Sequence, residues 1–272
     1  MASLATGSLS IPKQKLAPWL GAIRNGSCVA TLSAQTPMTF GEGEPWTFDI
    51  GEAEYVGEGS DKGASTITPT TKTVKPFKFH KTLRFNEEVL WADEDRQLEV
   101  VDEILALIQP ALSRALDFGV FHEVNPTGGA IVAAMNGGLT DTTNLVEYVA
   151  ANKPYVSLDA ADELVLADGF VPRDIALDPT YAAKFSALRG TTSEQKLYPN
   201  FRLGIETSEL DGHRASVSNT VRGAGKLAVD TKVLGFVGDF SAIRWGVQKE
   251  IGLEVIKYGD PDGGGDLKRK NQ

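Results

Sequence analysis

The sequence predicts a mixed α+β fold, and three observations carry that prediction. A charge-sorted stretch over 42–84 alternates apolar and polar residues on both sides of a glycine-containing turn. A long amphipathic helix pattern follows, from about Asp93 to Phe121. Beyond it an α/β block gives way, after Gly190, to a glycine-rich run of strand patterns. Strands and helices sorted into different regions of the chain point to α+β with an excursion domain.

Composition bounds the class. The chain has 272 residues, enough for one large or two modest domains with a real core. Apolar content is 42% and charged content 23%, ordinary for a globular protein. No apolar run approaches the roughly 20 residues of a membrane helix, so no membrane partner is expected. Residues 1–15 are small and polar and lack a signal-peptide core, so they are expected to form an arm on a cytoplasmic product. The net charge of −9 repels phosphate backbones and argues against a nucleic-acid reader. The single Cys28 excludes an intrachain disulfide. It stands among Ser27, Val29 and Ala30, and burial as a small hydrophobe fits better than a thiol nucleophile, which needs an electropositive, accessible pocket.

The charge sorting over 42–84 is complete. Glu42, Glu44, Asp49, Glu52, Glu54, Glu58 and Asp61 come with no basic residue between them. Lys62, Lys72, Lys75, Lys78, Lys81 and Arg84 follow with no acidic one. Trp46, Phe48 and Ile50 alternate with Thr47 and Asp49, and Phe77, Phe79, Leu83 and Phe85 alternate with polar residues. This predicts a long β-hairpin turning near Gly59–Gly63, with opposite charges facing across the ladder and a polar tip over 57–71. Two roles fit it. One is a solvated ribbon whose charges guard its edges. The other is an arm reaching another subunit, since an isolated two-stranded ribbon is marginal in water.

The remaining elements follow in order. Leu16, Trp19, Leu20 and Ile23 give a helical spacing that stops at Asn25–Gly26, with Val29 and Leu32 in a short packed element beyond. Residues 85–91 form a short helix or turn. In the long helix Leu98, Val101, Leu105, Ile108, Leu112 and Ala115 make the apolar stripe, Asp117 falls on the polar remainder, Asp93–Asp95 suit the dipole, and Pro110 predicts a kink. Helices are expected over 139–151, with Leu145, Tyr148 and Val149 inward, and over 157–167, capped by Ser157 and closed by Gly169. A strand over 174–177 leads to a helix opened by Asp178–Pro179, with Tyr181, Phe185 and Leu188 on its inner face. Strands are expected over 214–221, 233–237, 242–248 and 253–258.

The search for chemistry returns little. His80, His122 and His213 share no metal spacing, and no zinc-protease, phosphate-loop, dinucleotide or hydrolase motif is present. Gly128–Gly129 and Gly137–Gly138 flank an apolar, helical-looking run, Ala130–Met135, and punctuate a loop rather than cradle a phosphate. The segment from Asp260 places Gly265 where a calcium loop needs its glycine, but Asn271 stands at the twelfth position in place of a bidentate Glu, so a glycine turn is expected. Neither catalytic nor metal nor cofactor residues are assigned.

Four stretches together carry a resemblance: Lys75–Phe85 running into Asn86–Asp95, the helix end Ala115–His122, Ala176–Pro179 with Val237–Ser241, and Tyr258–Asp262. In order and spacing the chain resembles the major capsid proteins of tailed bacteriophages, with the Hong Kong 97 fold. The resemblance implies an N-terminal arm and short helix over 1–41 and an extended loop over 42–85. It implies a peripheral domain over 86–124 and 230–272, with a spine helix at about 93–121, and an axial domain over 125–229. It implies self-assembly through pentamers and hexamers into an icosahedral shell around double-stranded DNA, held without sequence-specific contact. The extended loop would lie over a neighbour, giving intersubunit roles to Glu52, Glu54, Glu58, Asp61, Lys62, Lys72, Lys75, Lys78, Lys81 and Arg84. Complementary charge would set register and partner choice there more than affinity.

The chain departs from such proteins in three ways. Some relatives begin with a long helical scaffold, which a fifteen-residue arm cannot supply, so a separate scaffolding protein and a portal are expected partners. Some crosslink a loop Lys to a neighbour's Asn; Lys62 is near the tip, but no matching Asn or activating acid is identifiable. Relatives usually continue past the 266–269 region into another strand, so the sequence is shortened or the fold closes differently. The expected location is the virion capsid, reached from the host cytoplasm. A nanocompartment shell of encapsulin type would use the same fold, and a soluble α+β enzyme is the alternative from another class.

Overall fold

The computed structural model describes residues 26–37, 42, 44, 46–49, 53, 55–59, 63, 68–71, 73–82, 108, 111–192, 194–223, 230–247, 256, 258–260 and 263–265. The chain divides into two compact units, one of 36–78 with 246–250, the other of the remaining residues.

The smaller unit contains β1 (Trp46–Asp49) and β2 (Thr68–Thr71), paired antiparallel from Trp46↔Thr71 to Asp49↔Thr68. The ribbon is therefore real, but its second strand is not the expected basic one. Asp49 faces Thr68, and no lysine is in the four described pairs. The β-branched Thr68, Thr70 and Thr71 suit a strand better than Lys75–Pro76, where proline removes a ladder donor. Pro69 is tolerated because both strands of a two-stranded ribbon are edges.

In the larger unit, α1 (Cys28–Leu32) starts at Ser27, whose hydroxyl accepts from the Ala30 amide. Helix α2 covers 111–122, the described end of the long helix. The expected kink at Pro110, the helix over 16–23, the segment over 85–91 and the rest of the long helix lie outside the described residues. Next come α3 (Pro154–Ala167), β3 (Asp174–Leu177), α4 (Pro179–Ala187), β4 (Ser208–Leu210), β5 (His213–Val217) and β6 (Gly235–Gly238). The sheet order is β4-β5-β3-β6, with β3 parallel to β5 and the other pairs antiparallel.

Strand periodicity sorts this sheet into two faces. Ile175, Leu177, Ala215 and Val217 face one way and join Leu158 of α3 with Tyr181, Ala182 and Phe185 of α4 in the core. Tyr148, Tyr181, Phe185 and Tyr198 continue it as successive edge-to-face ring contacts. The opposite residues meet α1 and α2: Ser216 donates to the Cys28 sulfur, and Phe236 stacks on Phe121 with ring centroids 4.7 Å apart.

Local signals place several elements as expected. Asp178 caps α4 by accepting from the Thr180 amide, with Pro179 at its first turn. Gly169, at φ +82°, closes α3. Helix α3 nevertheless starts at Pro154, three residues before Ser157, with proline rather than a hydroxyl cap opening it. The expected helix over 139–151 is absent. Only a 3₁₀ turn, Leu139–Asp141, forms there. Thr142 accepts from the Asn144 amide, which competes with helix, and Tyr148 alone turns inward while Leu145 and Val149 stay exposed. The run Ala130–Met135 is irregular, bridged by Val124↔Ile131. The expected strand over 214–221 ends at Val217, where a turn returns the Val221 amide to the Ser218 carbonyl. The one over 242–248 is not seen in its described part, 242–247, where a 3₁₀ turn, Phe240–Ala242, is capped by Asp239 and Trp245 bridges to Gln35. Ile256 and Tyr258 are exposed and lie in no strand.

Candidate functional site

The polar groups that sequence reasoning passed over are the ones that hold the larger unit together. Asp117, expected on the outer face of its helix, is fully buried. One carboxylate oxygen accepts from the Ser27 hydroxyl and the Val29 amide at 3.1 Å. The other accepts from the Cys28 amide at 3.0 Å and the Thr220 hydroxyl at 2.6 Å. Thus one side chain satisfies the orphan donors that open α1 and ties α1, α2 and the turn after β5 together. Burial pushes its carboxyl above the usual range, and the four donors oppose that shift.

A second buried acid is linked, through Arg214, to the C-terminal end of α1. Asp174 lies in β3, takes the Arg214 guanidinium at 2.6 Å and accepts from the Phe240 amide at 3.0 Å. Arg214 also donates to the Leu32 carbonyl, and the Trp245 indole donates to Ser33 at 3.1 Å. Cys28 is buried as expected, and burial beside Asp117 pushes its thiol up, away from the reactive thiolate. His122 is buried too. Its Nε2 faces the Thr220 carbonyl at 3.1 Å, and Nδ1 has no partner among the described residues. Burial pushes its pKa down. His213 bridges the Leu210 carbonyl and Asp162. Each of these groups joins segments. Among the described residues no cluster of three or more His, Cys, Asp or Glu is arranged to hold a metal ion. At the glycine turn, the Gly265 amide donates to Asp260 at 2.9 Å.

Of the residues expected to touch neighbours, Glu58, Lys75, Lys78 and Lys81 are described, and all four are exposed. None makes an ion pair among the described residues. Phe77 and Phe79, in the same stretch, are each 41% exposed. Glu52, Glu54, Asp61, Lys62, Lys72 and Arg84 lie outside the described residues. Large apolar side chains are exposed elsewhere also, among them Tyr55, Leu145, Leu166, Phe170 and Leu197. The buried acids act as struts inside the subunit, and several large apolar side chains stay at its surface.

The family described as phage capsid protein matches residues 69–265, well over half of the sequence. The chain belongs to that family. A solved structure from Mycobacterium phage Ogopogo is 42% identical, with a TM-score of 0.76, covering 90% of this chain and 83% of that one. One from Gordonia phage Cozz is 27% identical, with a TM-score of 0.72, covering 90% and 78%. One from Microbacterium phage Oxtober96, at 16% identity and a TM-score of 0.64, covers 100% and 85% and shares the fold. No curated protein matches. The α+β chain is thus a Hong Kong 97-like major capsid protein, a structural subunit of an icosahedral virion shell.

Proposed function

We propose that the stretch over 42–85 works as a clasp between copies, within a shell assembled from pentamers and hexamers around double-stranded DNA. The observation that carries this is the exposure of Lys75, Lys78 and Lys81 beside half-exposed Phe77 and Phe79, with no ion pair among the described residues. An exposed aromatic pair flanked by lysines with no ion-pair partner among the described residues is better suited to a contact surface than to open solvent. The acidic residues Glu52, Glu54, Glu58 and Asp61 would offer the complementary charge on another copy, alongside Lys62, Lys72 and Arg84. In this reading 86–124 and 230–272 form the peripheral domain and 125–229 the axial one. Assembly takes place in the host cytoplasm with a separate scaffolding protein and a portal. The net charge of −9 keeps the shell from gripping its genome.

The experiment is charge reversal with electron microscopy of purified particles. Lys75, Lys78 and Lys81 changed together to Glu should leave the subunit folded and abolish shells. Normal shells from that triple variant would exclude the clasp. The family match and the relative from a mycobacteriophage favour a phage shell over a nanocompartment or an enzyme.

A further inference from the structure

The two ends of α3 carry unlike surfaces. At its C-terminal end Gly169 takes a left-handed conformation, its amide donating to Leu166 at 3.0 Å, and the Phe170 amide donates to Val165 at 3.1 Å. These are the paired bonds of a Schellman closure, which normally folds the following apolar residue back onto the helix. Here Phe170 is instead 67% exposed. Its backbone is fixed while its ring stands in solvent, beside exposed Leu166 and Val171. The Asn144 amide group donates to Asp168 at 2.5 Å and brings exposed Leu145 to the same place. The result is an apolar knob with Asp168 at its edge.

At the other end, Lys153, Tyr155, Leu188, Arg189 and Leu197 line an open cavity of about 310 Å³, together with Asp159, Tyr198 and Asp211. Tyr198 donates to Asp211 at 3.3 Å, which occupies one of those acids. Helix α3 has 14 residues, so knob and cavity lie about 20 Å apart on one copy and cannot meet within it.

The charges at the helix ends also run against its own dipole. Lys153 stands at the N-cap, Asp168 at the C-cap, and the last turn holds no basic residue. Within one chain that arrangement is unfavourable. It becomes favourable when the C-terminal end of one helix meets the N-terminal end of another.

We infer that Phe170 of one copy seats in the Tyr155–Leu197 cavity of the next, with Asp168 facing Lys153 and Arg189. The contact is heterologous, knob to hole, and repetition about an axis closes a ring. The cavity wall is mixed, with Tyr155, Leu188 and Leu197 offering apolar surface to a ring and Lys153 and Arg189 offering charge to Asp168. An aromatic side chain on a fixed backbone is a common form of interface anchor. The inference rests on the shell-protein reading and names the surfaces through which copies meet.

Two substitutions test it, Phe170→Asp and Leu197→Asp, both at exposed positions. Wild-type chains forming shells establish the reading on which the inference rests; wild-type chains that never assemble would remove that reading instead. Each variant alone is expected to lower the yield of shells by about tenfold or more while keeping its circular dichroism. Mixed in equal amounts, the variants retain one intact knob and one intact cavity between them. They should form two-chain complexes in sedimentation, which neither forms alone. Leu145→Asp, on the irregular segment beside the knob, repeats the test should Phe170→Asp fail to fold. Normal shells from the folded variants, or a mixture that stays monomeric, would overturn the inference.

Discussion

The Asp117 carboxylate accepts the hydroxyl proton of Ser27, 90 positions earlier in the chain. The same carboxylate holds the Thr220 hydroxyl, 103 positions later. Replacing Asp117 with Ala would strand two backbone amides and two hydroxyls in a dry interior. The expected cost is about 3–5 kcal/mol, the range for leaving buried partners unmatched. Urea unfolding measures the loss. Hydrogen exchange should show the Cys28 and Val29 amides opening first; an unchanged midpoint and unchanged protection at those amides would remove Asp117 from its central place.

Gly235 gives a prediction about the sheet. A Cβ added there would sit 3.1 Å from Leu177 Cδ2 and 3.2 Å from the Ala176 carbonyl oxygen. One neighbour is backbone and cannot retreat without disturbing the β3–β6 ladder. Gly235→Ala should therefore destabilise the unit by about 1–2 kcal/mol, as overpacking does. Thermal unfolding would register it, whereas Gly204→Ala, with open space around its site, should leave the midpoint in place.

Acid should weaken the subunit in two steps. Burial depresses the pKa of His122 below 6.5, so below that pH the unfolded chain takes up a proton that the folded chain resists. The stability His122 contributes is present above pH 6.5 and is lost as pH falls through the depressed folded value. Asp230 accepts from Arg222 at 2.7 Å and Lys232 at 2.6 Å, and these donors hold its carboxyl well below 3.8. Its contribution is present above pH 3.8 and is lost as pH falls through its lower folded value. Unfolding midpoints measured against pH should show both slopes. His122→Phe should flatten the upper one and Asp230→Asn the lower; a profile unchanged by either substitution would contradict the assignment.

What could be read from the sequence was what is decided locally. Asp178–Pro179 opens a helix whether or not anything packs on it, and Gly169 ends one by its own conformational freedom. The family was legible from the order of several such stretches. Leu145, Tyr148 and Val149 have helical spacing, yet Tyr148 is drawn to Tyr181 and Lys184, and the segment follows it out of helix. Asp117 sits at a polar position of an amphipathic pattern, and nothing nearby in sequence announces donors at 27–29 and 220. The basic stretch over 75–81 alternates like a strand, but Thr68–Thr71 takes the ladder instead. Local chemistry was visible; the choice between competing partners was not.

The hydrogen bond from the Trp245 indole to Ser33 spans 212 positions. A chain emerging from the ribosome therefore carries α1 long before the residue that completes that helix's surroundings has been made. Completing that part of the larger unit requires residues made more than two hundred positions apart, and such long-range closure is slow. A chain that stops before Trp245 leaves Ser33 without that donor and the surroundings of its helix open.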